Sequence, residues 1–380
     1  MEEKITEQGC FASGAIVCAV ENEYQIIFNT DCATVAWCTI GAETYYDEEN
    51  GLMRSDTVHK INVPMDVLDS EKSYTVWFRR MIDRCSYRPK LGDPVSRTYP
   101  FRPVEPGKGF RIYHLSDCHG MFDEPCRTAK MYMDRTDLLV LNGDTAEFDN
   151  VACLLRQFEI LTELTHGEVP VVVTRGNHDT RGYMAPELYR YIGTKDNKTY
   201  FTFRLGPLWG VVLDCGEDKN DDHEEYGGEH GAVCCHPFRV RETKMLEEIA
   251  ASGEFRAEGI KYRVAICHVP FSCRFKEAGS VFDIENEIYD HWCKLLNGME
   301  LDAMLSGHIH RRFVIEPGSR FDCRGLNCPV IIGNSTRRPH ENEPGYIEGA
   351  WIDLKEDGSI HVEFNSSNGE ICQIWDSPER

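Results

Sequence analysis

No stretch of the 380-residue chain approaches the roughly 20 consecutive apolar residues that span a bilayer, so no membrane-crossing helix is expected. Positive charge is scarce: 41 lysines and arginines stand against 63 aspartates and glutamates, for a formal charge of −22. A nucleic acid or an anionic lipid surface would be repelled at long range, and neither is expected as a partner. The first residues, Met1-Glu2-Glu3-Lys4, lack the basic and then apolar pattern of an export signal, and the chain reads as cytoplasmic. Its 17 cysteines include no paired Cys-x-x-Cys zinc pattern. Many of them, such as Cys18, Cys38, Cys215 and Cys267, sit inside apolar runs and read as reduced core residues. Internal repeats and low-complexity segments are missing too.

The length favours two domains. Between about Gly14 and Met81 lie short β-rich runs at Ala15 to Val20, Tyr24 to Phe28, Thr34 to Ile40, His59 to Val63 and Tyr74 to Arg79, with no competing helical period. They predict a small antiparallel sandwich close in size to an immunoglobulin or fibronectin type III module. Five prolines at 89, 94, 100, 103 and 106 make Tyr87 to Pro106 an extended connection. The expected division is therefore a sandwich with its linker over residues 1–104 and an α/β unit over 105–380. In the second unit apolar strands alternate with helical patterns at Val151 to Thr165, Glu242 to Ala251 and Glu285 to Asn297, which predicts a layered core. Strands return at Gly349 to Leu354 and Ser359 to Phe364, turned by Asp357-Gly358.

Five polar clusters punctuate this unit: Asp117-Cys118-His119, Gly143-Asp144-Thr145-Ala146-Glu147, Gly176-Asn177-His178-Asp179, His268 and Gly307-His308-Ile309-His310. Most follow an apolar, strand-like run, so they fall at the carboxyl ends of buried strands, where open α/β sheets hold ligands. Imidazoles, carboxylates and an Asn carbonyl oxygen form a mixed nitrogen and oxygen set suited to manganese, iron or zinc. A pair of ions needs a carboxylate that bridges them, and Asp144 is the expected bridge. Period-two spacing puts Asp117 with His119, and His308 with His310, on one face of an extended segment, and turns Cys118 away into packing. His114, embedded in a strand, reads as structural.

In this order and spacing the clusters resemble the calcineurin-like metallophosphoesterase superfamily, over residues of about 105 to 365. The resemblance implies a four-layer α/β/β/α core, preceded here by the β-sandwich as in purple acid phosphatases. It also implies two metal sites. One takes Asp117, His119, Asp144 and His310, and the other takes Asp144, Asn177, His268 and His308. His178 is left to stabilise the transition state or protonate the leaving oxygen, oriented by the acidic residue three positions after the bridge, here Glu147 where many relatives have Asp. Purple acid phosphatases carry at that position a tyrosine that ligates ferric iron, so this chain has the architecture without the purple site. Arg181 is the expected phosphate contact. Arg175, Arg311, Arg312, Arg337 and Arg338 each read more simply as surface or ion-pair arginines.

The function expected from these residues is a metal-dependent phosphoester hydrolase, a phosphatase on a small phosphorylated metabolite or nucleotide. The ligand set is shared with phosphodiesterases, which stay open as an alternative. A non-catalytic binding scaffold fits less well, because such a scaffold has no need of the full set with His178. A nuclease is disfavoured by the acidity. The acidic loop from Gly216 to His236, with His223, His230 and Cys234-Cys235, follows an apolar run on the same edge as the clusters and is a candidate roof for the site.

Overall fold

The structure is a computed structural model that describes residues 9–105, 107–223, 231–340 and 343–378. Among these, five α-helices occur: α1 (Met65–Glu71), α2 (Asp123–Lys130), α3 (Val151–Thr165), α4 (Cys235–Ser252) and α5 (Asn286–Gly298). Two large sheets, of 13 and six strands, carry the rest. In the first, Phe110–Leu115, Leu138–Asn142 and Val171–Thr174 run parallel. The last two of these strands read LLVLN and VVVT with every residue buried, the signature of parallel strands covered on both faces. In the second sheet Leu208–Leu213, Tyr262–Cys267, Ala303–Ser306 and Val330–Ile332 also run parallel.

Side-chain alternation along the second sheet explains the layering. Val212, Val264, Ile266, Leu305 and Ile331 join one apolar cluster with the first sheet, while Val211, Leu213, Ala265, Met304 and Ile332 join another with Leu246 and Ile249 of α4 and Trp292 and Leu296 of α5. Helices α2 and α3 pack with the first sheet, which completes the helix–sheet–sheet–helix stack that the resemblance implied. In α3, Asn150 accepts from Cys153 N at 3.2 Å as N-cap, and Leu154, Phe158, Leu161 and Leu164 form the buried stripe. Burying each large side chain of that stripe stabilises by about 1.5–3 kcal/mol. The two sheets leave their carboxyl-terminal strand ends, and the loops that carry the five clusters, close together.

The N-terminal region is strand-rich, as expected, and is joined to the core sheet. Ile16–Val20 lies parallel to Val171–Thr174 through Cys18 and Val171, so the N-terminal strands extend the core sheet across the expected boundary at 104/105. The runs at Tyr24 to Phe28 and Thr34 to Ile40 are one strand, Glu23–Ile40, with an irregularity between Asn29 and Thr34. The proline-rich connection is also corrected: Lys90–Pro100 is a strand paired with Ser73–Asp83 at the sheet's edge. An edge strand needs only one row of hydrogen bonds, which is where Pro94 and Pro100 are tolerated. Helix α1 was not foreseen, and Ile371–Asp376 adds a further strand at the other edge. Among the described residues, no helix is long and apolar enough to cross a membrane.

Candidate metal centre

Hydrogen bonding continues past the strand ends. Asp117 N donates to Gly143 O at 3.0 Å, His119 N to Asp144 O at 2.9 Å, and on the other sheet Gly307 N to His268 O at 2.9 Å. These loops therefore hold their side chains on a zipped backbone. Five of the expected ligands take left-handed backbone angles: Asp117 (φ 55°), His119 (46°), Asp144 (52°), His308 (70°) and His310 (53°). Side chains other than glycine pay for that conformation, and its concentration at one place marks a functional constraint. The neighbouring glycines permit close approach. A Cβ on Gly176 would lie 2.2 Å from Asp144 Oδ1, and one on Gly307 would lie 2.6 Å from Asp117 Oδ2.

All seven expected ligands converge. Donor atoms of Asp117, His119 and His310 lie within 4.8 Å of one another, as do those of Asp144, His268 and His308. His308 Nδ1 is 2.9 Å from Asn177 Oδ1, which brings Asn177 to the second group. His310 Nε2 approaches Asp117 Oδ1 at 3.1 Å and His119 Nε2 at 3.0 Å, while His268 Nε2 stands 3.2 Å from Asp144 Oδ2 and 3.9 Å from Asp117 Oδ1. His268 links the two groups.

The electrostatics demand a cation. Asp117 and Asp144 are 0% and 1% exposed, and burial alone would protonate both. Burial is outweighed for each, chiefly by His268, and both carboxyls are held below their usual range. Against its own burial, His268 is in turn pushed up to about 10 by Asp144 and Asp117, the response of a buried imidazole to two buried carboxylates. Its Nδ1 sits 2.7 Å from the Asn142 carbonyl, a contact that uses the ring's Nδ1–H and turns Nε2 into the site. That Nε2 is buried, and the groups it faces are the two carboxylates. A buried imidazole nitrogen turned toward two buried carboxylates is the fit expected of a metal ligand, so the residues present suit the ions that the donor set implies.

Surrounding residues orient these donors, and several escaped the sequence reading. Asn334 Nδ2 donates to Asp117 Oδ2 at 2.6 Å, which leaves Oδ1 for the site. Glu217 accepts from Asn177 Nδ2 at 3.4 Å and pairs with Arg181 at 2.9 Å, and Asp218 reaches His308 Nε2 at 3.2 Å. The acidic loop thus joins the site through its first residues. Farther along, Asp221 accepts from the N–H groups of Cys235 and His236 at the start of α4, and His230 lies outside the described residues. Asp179 Oδ2 braces the second and third clusters by accepting from Asp144 N and Gly176 N, both at 2.8 Å. We expect Asn334→Ala to lower metal affinity about 10- to 100-fold, the usual effect of losing a group that orients a ligand. Titration of the metal-depleted variant measures it, and unchanged affinity would remove Asn334 from the site.

His178 and Glu147 stand beside the first group, their donor atoms within 4.8 Å of each other and of His119. The hydrogen bond of Glu147, however, goes to Arg338 Nη2 at 2.5 Å, and the same nitrogen is 2.8 Å from His119 Nδ1. His178 takes its contact from Arg181, with Nη1 3.3 Å from Nδ1. Arg175, Arg312 and Arg337 pair with Asp214, Glu348 and Glu343, as ion-pair arginines should. Cys118 is fully buried in the apolar cluster, and burial pushes the fully enclosed His114 down to about 3, so it stays neutral at Asn142. Beside the ligands opens a cavity of about 700 Å³ that Asp144, Asn177, His178, Arg181, His308 and His310 help to line.

Solved structures share this fold. A purple acid phosphatase from yellow lupin (Lupinus luteus) seeds aligns over 96% of this chain and 73% of its own, with a TM-score of 0.61 and 10% identity. PhoD aligns over 97% and 92%, with a TM-score of 0.51 and 11% identity. No curated protein sequence matches the chain. The family model for the calcineurin-like phosphoesterases matches residues 110–312, more than half of the chain and the whole span of the five clusters. With that match and the convergent Asp, Asn and His donors, this chain belongs to the calcineurin-like phosphoesterase family.

Proposed function

We propose that the chain hydrolyses phosphate monoesters of a small phosphorylated metabolite or nucleotide, with a pair of divalent or transition metal ions bridged by Asp144. The observation that carries this reading is the buried Nε2 of His268 facing Asp144 and Asp117, with the other four ligand residues around them. Asp117, His119 and His310 hold one ion, and Asn177, His268 and His308 the other, with Asp144 common to both. When bound, such a pair supplies Lewis acidity toward the phosphoryl oxygens and acidifies an attacking water to near neutral pH. Manganese, iron and zinc all suit the donors.

The chain's own groups then position and stabilise. An arginine donates but never accepts, so the contact from Arg181 fixes the His178 proton on Nε2. Burial lowers the pKa of His178. With its proton on Nε2, His178 is placed to stabilise the transition state or to protonate the leaving oxygen. Arg181, anchored by buried Glu217, lines the cavity as a phosphate contact. A cation held through Nε2 would place the His119 proton on Nδ1, and Arg338 would keep its pair with Glu147.

The cavity is larger than a phosphate requires, and this keeps the diester reading in view. At equal metal loading we expect p-nitrophenyl phosphate to be hydrolysed faster than its bis ester. The reverse order would move the assignment to phosphodiesterase.

A further inference from the structure

One wall of the cavity is aromatic. Phe275, Phe313 and Phe321 line it beside His308 and His310, with ring centroids 5.6 Å apart for Phe275 and Phe313, 5.2 Å for Phe275 and Phe321, and 5.5 Å for Phe313 and Phe321. All three are only partly buried, and Phe282, on the same cavity, is 43% exposed. A core cluster would hide these rings from the cavity. Here all three rings line the cavity that Asp144, Asn177, His308 and His310 also line.

The wall is preformed. Arg274 N donates to Phe321 O at 2.9 Å and Cys323 N to Ser272 O at 3.2 Å, which ties the loop after His268 to the loop after Phe313. Asp283 closes the first loop by accepting from Arg274 at 2.9 Å and Gly279 N at 2.7 Å. A rigid apolar surface costs little further ordering when a ligand stacks on it. Charge along the cavity points the same way. Arg181, Lys219, Arg274 and Arg324 are engaged by Glu217, Asp218, Asp283 and Asp290, whereas among the described residues exposed Lys276 and Arg311 make no ion pair. Unspent cations beside stacked rings suit a ligand that is both aromatic and anionic.

We propose that Phe275, Phe313 and Phe321 form the leaving-group subsite, which selects phosphoesters whose alcohol carries a planar aromatic group, aryl or nucleoside, over aliphatic ones. The proposal rests on the hydrolase reading above.

The test compares phenylphosphonate with methylphosphonate by calorimetry on the metal-loaded protein, then adenosine 5′-monophosphate with ribose 5-phosphate, whose leaving alkoxides are alike, in turnover. Wild type is expected to favour the aromatic member of each pair about tenfold. In Phe313→Ala and Phe321→Ala that preference should fall toward unity while the aliphatic values stay put. Phe313→Trp, which keeps a ring, should retain the preference if Phe313→Ala destabilises the fold. Equal affinities in wild type, or a uniform loss for both members in the variants, would overturn the subsite. An intact binding preference without turnover of either ester would instead overturn the hydrolase reading and leave the aromatic subsite standing.

Discussion

Asp144→Asn should abolish turnover while leaving the fold intact. The substitution is isosteric, and an amide oxygen still accepts from His178 N, as Asp144 Oδ1 does at 2.8 Å. What disappears is the negative charge proposed to serve both ions, on the oxygen that faces His268 Nε2. Losing several kcal/mol of electrostatic stabilisation corresponds to a rate loss of about 10³-fold or more. The measurement is p-nitrophenyl phosphate hydrolysis beside a thermal melt. We expect turnover near background and a melting temperature close to that of wild type, since the buried Asp144 backbone contacts with His119 and Asp179 persist. Wild-type-like hydrolysis would remove Asp144 as the bridge.

Deleting residues 1–104 should destroy the core. The N-terminal strands are joined to both sheets: Cys18 pairs with Val171 of the first, and Glu21 N donates to Thr202 O of the second at 2.6 Å, with Arg204 N donating back at 2.7 Å. Gln25 adds a two-way bond with Thr194, at 2.9 Å in each direction, and Tyr74 Oη donates to Gly167 O at 2.9 Å. Ile16, Val17, Tyr24, Ile26, Ile27 and Phe28 belong to the same apolar cluster as Val171 and Leu161. Six large side chains at about 1.5–3 kcal/mol each amount to about 9–18 kcal/mol, comparable with the whole stability of a typical domain. The truncated chain is expected to be insoluble or to lose cooperative unfolding. A soluble 105–380 fragment that melts cooperatively near the full-length temperature would show two independent folding units.

The ligands were legible because each buried parallel strand announces its end: LLVLN before Gly143, VVVT before Gly176, and Tyr262 to Cys267 before His268. Asn334 carries the same signal, since Val330-Ile331-Ile332 precede Gly333-Asn334, but a single Asn after a short strand has no partner residue in sequence to flag it. Glu217 and Asp218 were hidden differently. In an acidic loop every carboxylate looks alike, and only the fold selects the two that reach Arg181 and His308. Glu147 chose Arg338, 191 residues away, over an orienting bond to His178, a long-range competition that spacing does not reveal. Strand propensity locates the N-terminal strands but carries no information on partners, so the parallel pairing of Cys18 with Val171 is not legible in it. Lys90–Pro100 was lost to its prolines because nothing local marks a strand as an edge.

The central claim is a pair of bound ions, and elemental analysis of the metal-loaded, desalted full-length protein tests it most directly. The account predicts two equivalents of manganese, iron or zinc per chain, with loading and hydrolysis lost together in a strong chelator and restored together on metal return. One equivalent or none, with hydrolysis unaffected by chelation, would contradict it.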